Sequence, residues 1–369
     1  MRASFRSEFV DFVRARFGGD QRVVLHAPVF GELEEQLVVE VVRSSYVSSV
    51  GAMVEEFEQE IARYTGAKYA VATNTGTAAL HVGLTALGID VDDEVITQSL
   101  TFVATCNAIK YCGAHPVFVD VDSDSLSLSP LHLEEFLSNN SEIRNDGRCW
   151  NIRTGRRIQA CIPMHNLGHP ARAEQIKEIC SRFNVHVVED AAESLGSYEG
   201  NKHTGRIGEL GTLSFNGNKV ITTGGGGAVI TDDKNLADTV RHLTTTAKKP
   251  HPWLFLHDRV GFNYRMPNLN AALGCAQIKR LDKFLLLKRD LAAAYMDWFA
   301  RYPESFFCER SNTRANYWLN AILLGDRVSR DEFLGYTNEK GIMTRPMWTP
   351  MHTLPMFADG AIGSLKNTE

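Results

Sequence analysis

Apolar residues recur along the chain in two periods, and the alternation of those periods outlines its architecture. At the start, Phe5, Phe9, Phe12, Val13 and Phe17 fall at i, i+4, i+7, i+8 and i+12, which predicts a docking helix over 4–17 that ends at Gly18-Gly19. Val54, Phe57, Ile61 and Tyr64 repeat helical spacing over 53–64, stopped by Gly66. Short apolar runs at 69–73, 94–97, 116–121, 158–164, 185–189, 212–215 and 228–231 then read as strands, with helical stretches near 78–87, 102–112, 130–137 and 171–183 between the first five. This alternation predicts an α/β fold whose mainly parallel sheet is covered by helices on both faces. Over 268–302, Leu269, Leu273, Ile278, Leu281, Phe284, Leu285, Leu291, Tyr295 and Trp298 form an amphipathic helical region suited to core and dimer packing. A strand at 318–324, a helix at 330–340 and a further strand at 342–346 predict a small α+β unit.

The length, 369 residues, exceeds what one core usually spans. The expected division is a large domain over 1–250, including the N-terminal helix, and a small C-terminal domain over 251–369. The polar stretch 139–154 is the one candidate for a mobile excursion. With 39 Lys and Arg against 44 Asp and Glu the net charge is −5, and no basic stripe appears, which excludes a nucleic-acid binder. Seven scattered cysteines form no CxxC pair, so neither a zinc knuckle nor a disulfide framework is supported. No apolar run reaches membrane-spanning length and no signal-peptide core stands near the N-terminus, so a cytoplasmic protein without a membrane partner is expected.

In a parallel α/β sheet, ligands bind beyond the carboxyl ends of the strands. Lys219 falls there, in a polar, glycine-dense loop between the strands at 212–215 and 228–231. A lysine with its stem against apolar walls loses its proton more readily than one in water, as a Schiff-base amine requires; the alternative is an ordinary solvated charge. Thr75-Gly76-Thr77 joins a strand to an alanine-rich helix and leaves first-turn N–H groups aimed at one spot, a phosphate cradle in outline or a plain structural turn. Asp190 ends an apolar strand and needs a cationic partner, unless it simply caps the next helix. A Schiff-base lysine, a phosphate cradle and a carboxylate for a protonated pyridine nitrogen are the contacts that pyridoxal phosphate requires. His165 and His169 share a loop with no third ligand, so no metal is expected.

The segments Thr75-Gly76-Thr77-Ala78-Ala79-Leu80, Thr101-Phe102-Val103-Ala104-Thr105, Val188-Glu189-Asp190-Ala191-Ala192-Glu193-Ser194-Leu195-Gly196, Ser214-Phe215-Asn216-Gly217-Asn218-Lys219 and Gly261-Phe262-Asn263-Tyr264-Arg265-Met266 together resemble the DegT/StrS sugar aminotransferases. The resemblance spans about 28–352. It implies pyridoxal 5′-phosphate as cofactor and an aspartate-aminotransferase-like fold with a seven-stranded sheet. Lys219 would be the Schiff-base lysine and proton shuttle, Asp190 the partner of the pyridine nitrogen, and Phe102 the stacking ring. Gly76, Thr77 and Ser214 would hold the phosphate, with Asn263 reaching it from the other subunit of a homodimer. His165, Arg265 and His352 would face the nucleotide-sugar, although Arg265 could equally anchor an interface and the histidines could line or pack a pocket. Thr244-Thr245-Thr246-Ala247-Lys248 followed by Pro250-His251-Pro252-Trp253 resembles the branch that aminates C4 of UDP-linked 4-keto-6-deoxy-N-acetylhexosamines, with an amino acid, glutamate, as donor.

The chain departs from the family at its N-terminal aromatic helix and at Asn268-Leu269-Asn270, where relatives often have an acid-containing segment. Glu193, a cofactor-binding position by the resemblance, stands where many relatives carry a glutamine that donates to the ring hydroxyl, whereas an ionised glutamate could only accept there. The chain also stops shortly after Met351-His352-Thr353-Leu354-Pro355, so a small domain shortened at its end is expected. A pyridoxal-dependent sugar dehydratase and a non-catalytic regulatory protein are the alternative functions. Dehydrating relatives carry histidine at the lysine position, so Lys219 speaks against the first.

Overall fold

The computed structural model describes residues 3–19, 21–302 and 304–369. Its central sheet contains β1 (Tyr69–Thr73), β2 (Glu94–Gln98), β3 (His115–Val119), β4 (Ile158–Ile162), β5 (His186–Asp190), β6 (Leu210–Ser214), β7 (Gly227–Thr231) and β8 (Ala361–Ile362). Their spatial order is β1-β7-β6-β5-β4-β2-β3-β8. Only β7 runs against the others, pairing antiparallel with both β1 and β6. The mainly parallel sheet therefore stands, with an eighth strand beyond the seven expected. That strand comes from the C-terminal segment, where Asn367 and Thr368 donate backbone N–H groups to the buried Asp120 carboxylate at 2.7 and 2.9 Å.

The helices of this part are α1 (Ala3–Phe17), α2 (Glu32–Ser44), α3 (Ala52–Thr65), α4 (Gly76–Ala86), α5 (Val103–Tyr111), α6 (Pro130–Asn140), α7 (Ala173–Arg182) and α8 (Lys234–Thr244). They are followed by α9 (Asn268–Ile278), α10 (Leu281–Phe299) and α11 (Arg327–Glu339). Strand residues alternate between two cores. Ala72, Ala228 and Ile230 join Phe57 and Ile61 of α3 and Cys275 of α9, whereas Val71 and Val229 join Leu80 of α4, Ile109 of α5 and Val240 of α8. A third cluster packs α6 and α7 against Ile96, Val117 and Val187. Burying each of these large side chains contributes roughly 1.5–3 kcal/mol.

Helix α1, grouped with 1–250 in the sequence reading, spends its apolar face elsewhere: Phe5, Phe9 and Val13 pack with Trp298 and Phe299 of α10 and Phe333 of α11. The strand expected at 318–324 shrinks to Ile322–Leu323, and the one at 342–346 to a single bridge between Val23 and Ile342. The polar stretch 139–154 forms a hairpin, Ser141–Ile143 with Cys149–Asn151. No helix among the described residues is long and apolar enough to cross a membrane.

Candidate active site

The site is assembled from segments that leave the carboxyl ends of β1, β2, β5 and β6. After β6 the chain enters the loop carrying Lys219 and returns as β7. The base of that loop is fixed by Phe215, whose ring meets Phe57 edge-on at 5.0 Å. Lys219 Nζ lies 3.3 Å from Glu193 Oε1 and 4.0 Å from the centre of the Trp318 ring, so the amine is largely withdrawn from solvent.

Asp190 is the last residue of β5 and is fully buried. Its Oδ2 accepts from Thr105 Oγ1 at 2.7 Å and its Oδ1 from the Ala192 N–H at 3.2 Å. Burial pushes its carboxyl above the usual range against the pull of Thr105, the Ala192 N–H and Lys219, so the carboxylate gains from a cationic partner. Glu193 is buried one turn further on, and burial pushes it up to about 7 although Lys219 draws it down. Its Oε2 accepts from the Leu167 N–H at 2.8 Å.

The cradle lies beside these groups. Thr75 caps α4 by accepting from the Ala78 N–H at 3.0 Å, and the first-turn N–H groups of Gly76 and Thr77 have no acceptor within the helix. A Cβ on Gly76 would stand 2.8 Å from Ser214 Cβ and 3.1 Å from its Oγ, so only glycine lets this hydroxyl close on the helix start. Gly227 has the same constraint, because a Cβ there would meet the Thr75 carbonyl oxygen at 2.5 Å. Two free N–H groups, a serine hydroxyl and a helix N-terminus fit a phosphate; the buried carboxylate and the withdrawn lysine fit the ring and aldehyde of pyridoxal. Phe102 caps α5 and keeps 46% of its surface exposed, its ring 6.1 Å from that of Trp348.

The expected substrate residues behave differently. His165 is buried: its Nδ1 accepts the Ala171 N–H at 2.9 Å, which leaves the ring proton on Nε2, 3.0 Å from Glu189 Oε2. Glu189 also accepts from Gly205, Ile207 and Gly208 N–H groups at 2.8, 2.5 and 2.8 Å. Burial raises this carboxyl, but His165 and the N–H groups outweigh it and hold it below its ordinary value. Both nitrogens of His165 are thus committed to the fold. Arg265 Nη1 donates to Glu58 Oε1 at 2.6 Å and to the Ala72 carbonyl at 3.1 Å, an ion pair screened from water. His352 Nδ1 meets Ser99 Oγ at 2.7 Å. Asn263 is exposed, with its backbone carbonyl 3.4 Å from Asn74 Nδ2. His169 packs edge-on against Phe307 and Tyr317, and burial lowers its pKa to about 4. Among the described residues no group of three or more His, Cys, Asp or Glu side chains could hold a metal.

Three residues of the site carry no role in the sequence analysis: Trp318, against Lys219; Thr105, against Asp190; and Lys288, behind Trp318. Lys288 Nζ donates to the Trp318 carbonyl at 3.0 Å and lies 3.3 Å from His26 Nδ1. Burial lowers Lys288 to about 8, and burial together with Lys288 lowers His26 to about 4.

Residues 28–369 match the model of a protein family described as the DegT/DnrJ/EryC1/StrS aminotransferase family. A GDP-perosamine synthase of Escherichia coli O157:H7 is 36% identical over 337 residues, covering 91% of this chain and 87% of that protein. A GDP-perosamine synthase of Caulobacter vibrioides is 36% identical over 354 residues, covering 94% and 90%. Among solved structures, a DegT DnrJ EryC1 StrS aminotransferase from Brucella abortus superposes with a TM-score of 0.83 at 26% identity, covering 91% of this chain and 86% of that one.

Proposed function

The chain belongs to the DegT/DnrJ/EryC1/StrS aminotransferase family, and from that premise we propose that it transfers the amino group of glutamate to C4 of a nucleotide-linked keto-deoxysugar. It is a sugar aminotransferase, and its cofactor is pyridoxal 5′-phosphate. The cofactor supplies an electron sink for the carbanion formed when a Cα proton leaves. In this reading Lys219 binds the cofactor aldehyde and moves the proton, and Asp190, oriented by Thr105, keeps the pyridine nitrogen protonated. Phe102 fixes the ring plane. Gly76, Thr77 and Ser214 hold the phosphate, joined by Asn263 of the partner subunit in a homodimer.

The observation that carries the proposal is that Asp190 ends β5 while the neighbouring β6 ends at Ser214 of the cradle and leads into the loop carrying Lys219. A dimer with shared sites is supported by the ribbon Lys248–Lys249 with Leu256–His257, whose linking segment exposes Trp253 and Phe255 at 76% and 79%. Seven free cysteines accord with a reducing, cytoplasmic setting.

For the nucleotide, GDP is favoured by relatives named GDP-perosamine synthase at 36% identity. The UDP-linked 4-keto-6-deoxy-N-acetylhexosamine reading is carried by the segment from Thr244 to Trp253 and comes second. Incubating the protein with glutamate and GDP-, UDP- or dTDP-linked 4-keto-6-deoxy sugars, read by mass spectrometry, tests all three. An aminated GDP-sugar is expected; amination of the UDP-sugar alone would reverse the ranking, and no amination of any would remove the proposal.

A further inference from the structure

The side chains around Lys219 are held more firmly than packing alone requires. Asn316 ties the backbones that carry two of them together: its Nδ2 donates to the Glu193 and Leu195 carbonyls, both at 2.9 Å, while its Oδ1 accepts the Trp318 N–H at 2.7 Å. The Trp318 indole is tied in turn to the lysine loop, because Nε1 donates to the Asn218 carbonyl at 2.6 Å. The residues that deliver these contacts adopt left-handed backbone: Leu167, whose N–H holds Glu193, has φ 57°, and Tyr317, which precedes Trp318, has φ 49°. Such conformations are unfavourable for bulky residues and persist where surrounding contacts enforce them.

We propose that Glu193 and Trp318 form a built seat for the free side chain of Lys219, holding it as an ammonium while the protein rests loaded with pyridoxamine 5′-phosphate, before a substrate takes that proton and frees the amine to act as a base. The proposal rests on the reading of Lys219 as the cofactor-binding lysine and adds to it a resting position. An amino group transferred through a cofactor leaves the lysine detached for half of each cycle. A detached lysine serves as an acid only if it keeps its proton and its place. The carboxylate supplies charge, at 3.3 Å, and the indole face supplies a cation–π surface, at 4.0 Å. Glutamine at position 193 would preserve the shape and remove the charge.

Other ionisable groups bear on the seat. Asp190 adds negative charge from the end of β5, His26 contacts the Lys219 backbone from the N-terminal segment, and Lys288 approaches His26 from α10. Burial lowers both His26 and Lys288, which limits the positive charge opposing the ammonium. Since burial pushes Glu193 up to about 7, the seat carries its charge above that pH and loses it below.

The test is competitive acetylation of Lys219 against the exposed Lys283 in protein loaded with pyridoxamine 5′-phosphate, read by peptide mass spectrometry. At pH 8, Glu193→Gln should raise the relative reactivity of Lys219 about three- to tenfold, because the ammonium loses a charged partner. At pH 6 wild type and variant should converge, a signature that mere shielding by the side chain would not give. Trp318→Phe, which keeps an aromatic face, should stay within about twofold of wild type. Equal reactivity of wild type and Glu193→Gln at pH 8 would overturn the seat. Whether the wild type develops a visible band with pyridoxal 5′-phosphate that Lys219→Ala lacks is scored in parallel. A band without the reactivity difference removes the seat and leaves the role of Lys219 standing; no Lys219-dependent band removes both.

Discussion

Thr105 Oγ1 lies 2.7 Å from Asp190 Oδ2, a donor offered from the first turn of α5 to a carboxylate at the end of β5. Two secondary-structure elements thereby fix the orientation of the carboxylate proposed to partner the pyridine nitrogen. Asp190→Asn keeps the shape but cannot keep the pyridine nitrogen protonated. Turnover should fall at least about 100-fold while some cofactor stays bound. Thr105→Val should cause a smaller loss of the same kind. Steady-state kinetics with parallel cofactor absorbance checks both, and unchanged turnover in Asp190→Asn would detach this residue from the ring.

His165 provides a prediction of opposite character. Its two nitrogens are bound to Ala171 and Glu189, so His165→Ala leaves a buried carboxylate short of its partner. Destabilisation of roughly 1.5–3 kcal/mol is expected from the lost hydrogen bond to a charged group, with the KM for the nucleotide-sugar of the remaining folded protein close to wild type. Urea unfolding and KM measured side by side decide it; a large KM increase at unchanged stability would return His165 to the substrate.

This contrast shows which parts of the molecule were legible in sequence. The first seven sheet strands were readable because their β-branched runs are buried on both faces, and the residues at their carboxyl ends follow by geometry. Helix α2 has Leu33, Leu37 and Val41 at helical spacing, but the exposed Val39 and Val42 make its outer face apolar as well and blur the pattern. Strand β8 is two residues long and depends on the distant Asp120 clamp, so no local pattern announces it. The role of His165 depends on Glu189, and that of Trp318 on Asn316; both are contacts between chain segments that spacing along one segment cannot encode.

Glu193 gives a pH prediction. Burial raises its folded-state value to about 7 from the ordinary 4.5, so the folded chain binds this proton more tightly than the unfolded chain does. Stability is therefore fully present below about 4.5 and is lost as pH rises through about 7, by roughly 2–3 kcal/mol from this group. Cofactor-free Glu193→Gln should lack that component. Urea midpoints of the two proteins, compared at pH 5 and pH 8, should show the variant gaining on wild type at the higher pH; a constant difference would contradict the assignment.

Histidines buried as neutral rings act at the other end of the scale. His203 and His169 are each lowered to about 4, chiefly by burial. Their contribution is present above about 6.5 and is lost as pH falls toward 4. His203→Gln should therefore flatten the acid limb of a melting-temperature profile between pH 6 and pH 4, and an unaltered limb would show that its proton uptake is not coupled to unfolding.

Lys219, in the function proposed, carries the cofactor. Protein loaded with pyridoxal 5′-phosphate, reduced with borohydride and digested, should carry the cofactor mass on the peptide containing Lys219, and Lys219→Ala should carry none at that site. Capture of the cofactor on Lys288 or another lysine in the wild type would remove Lys219 from this role.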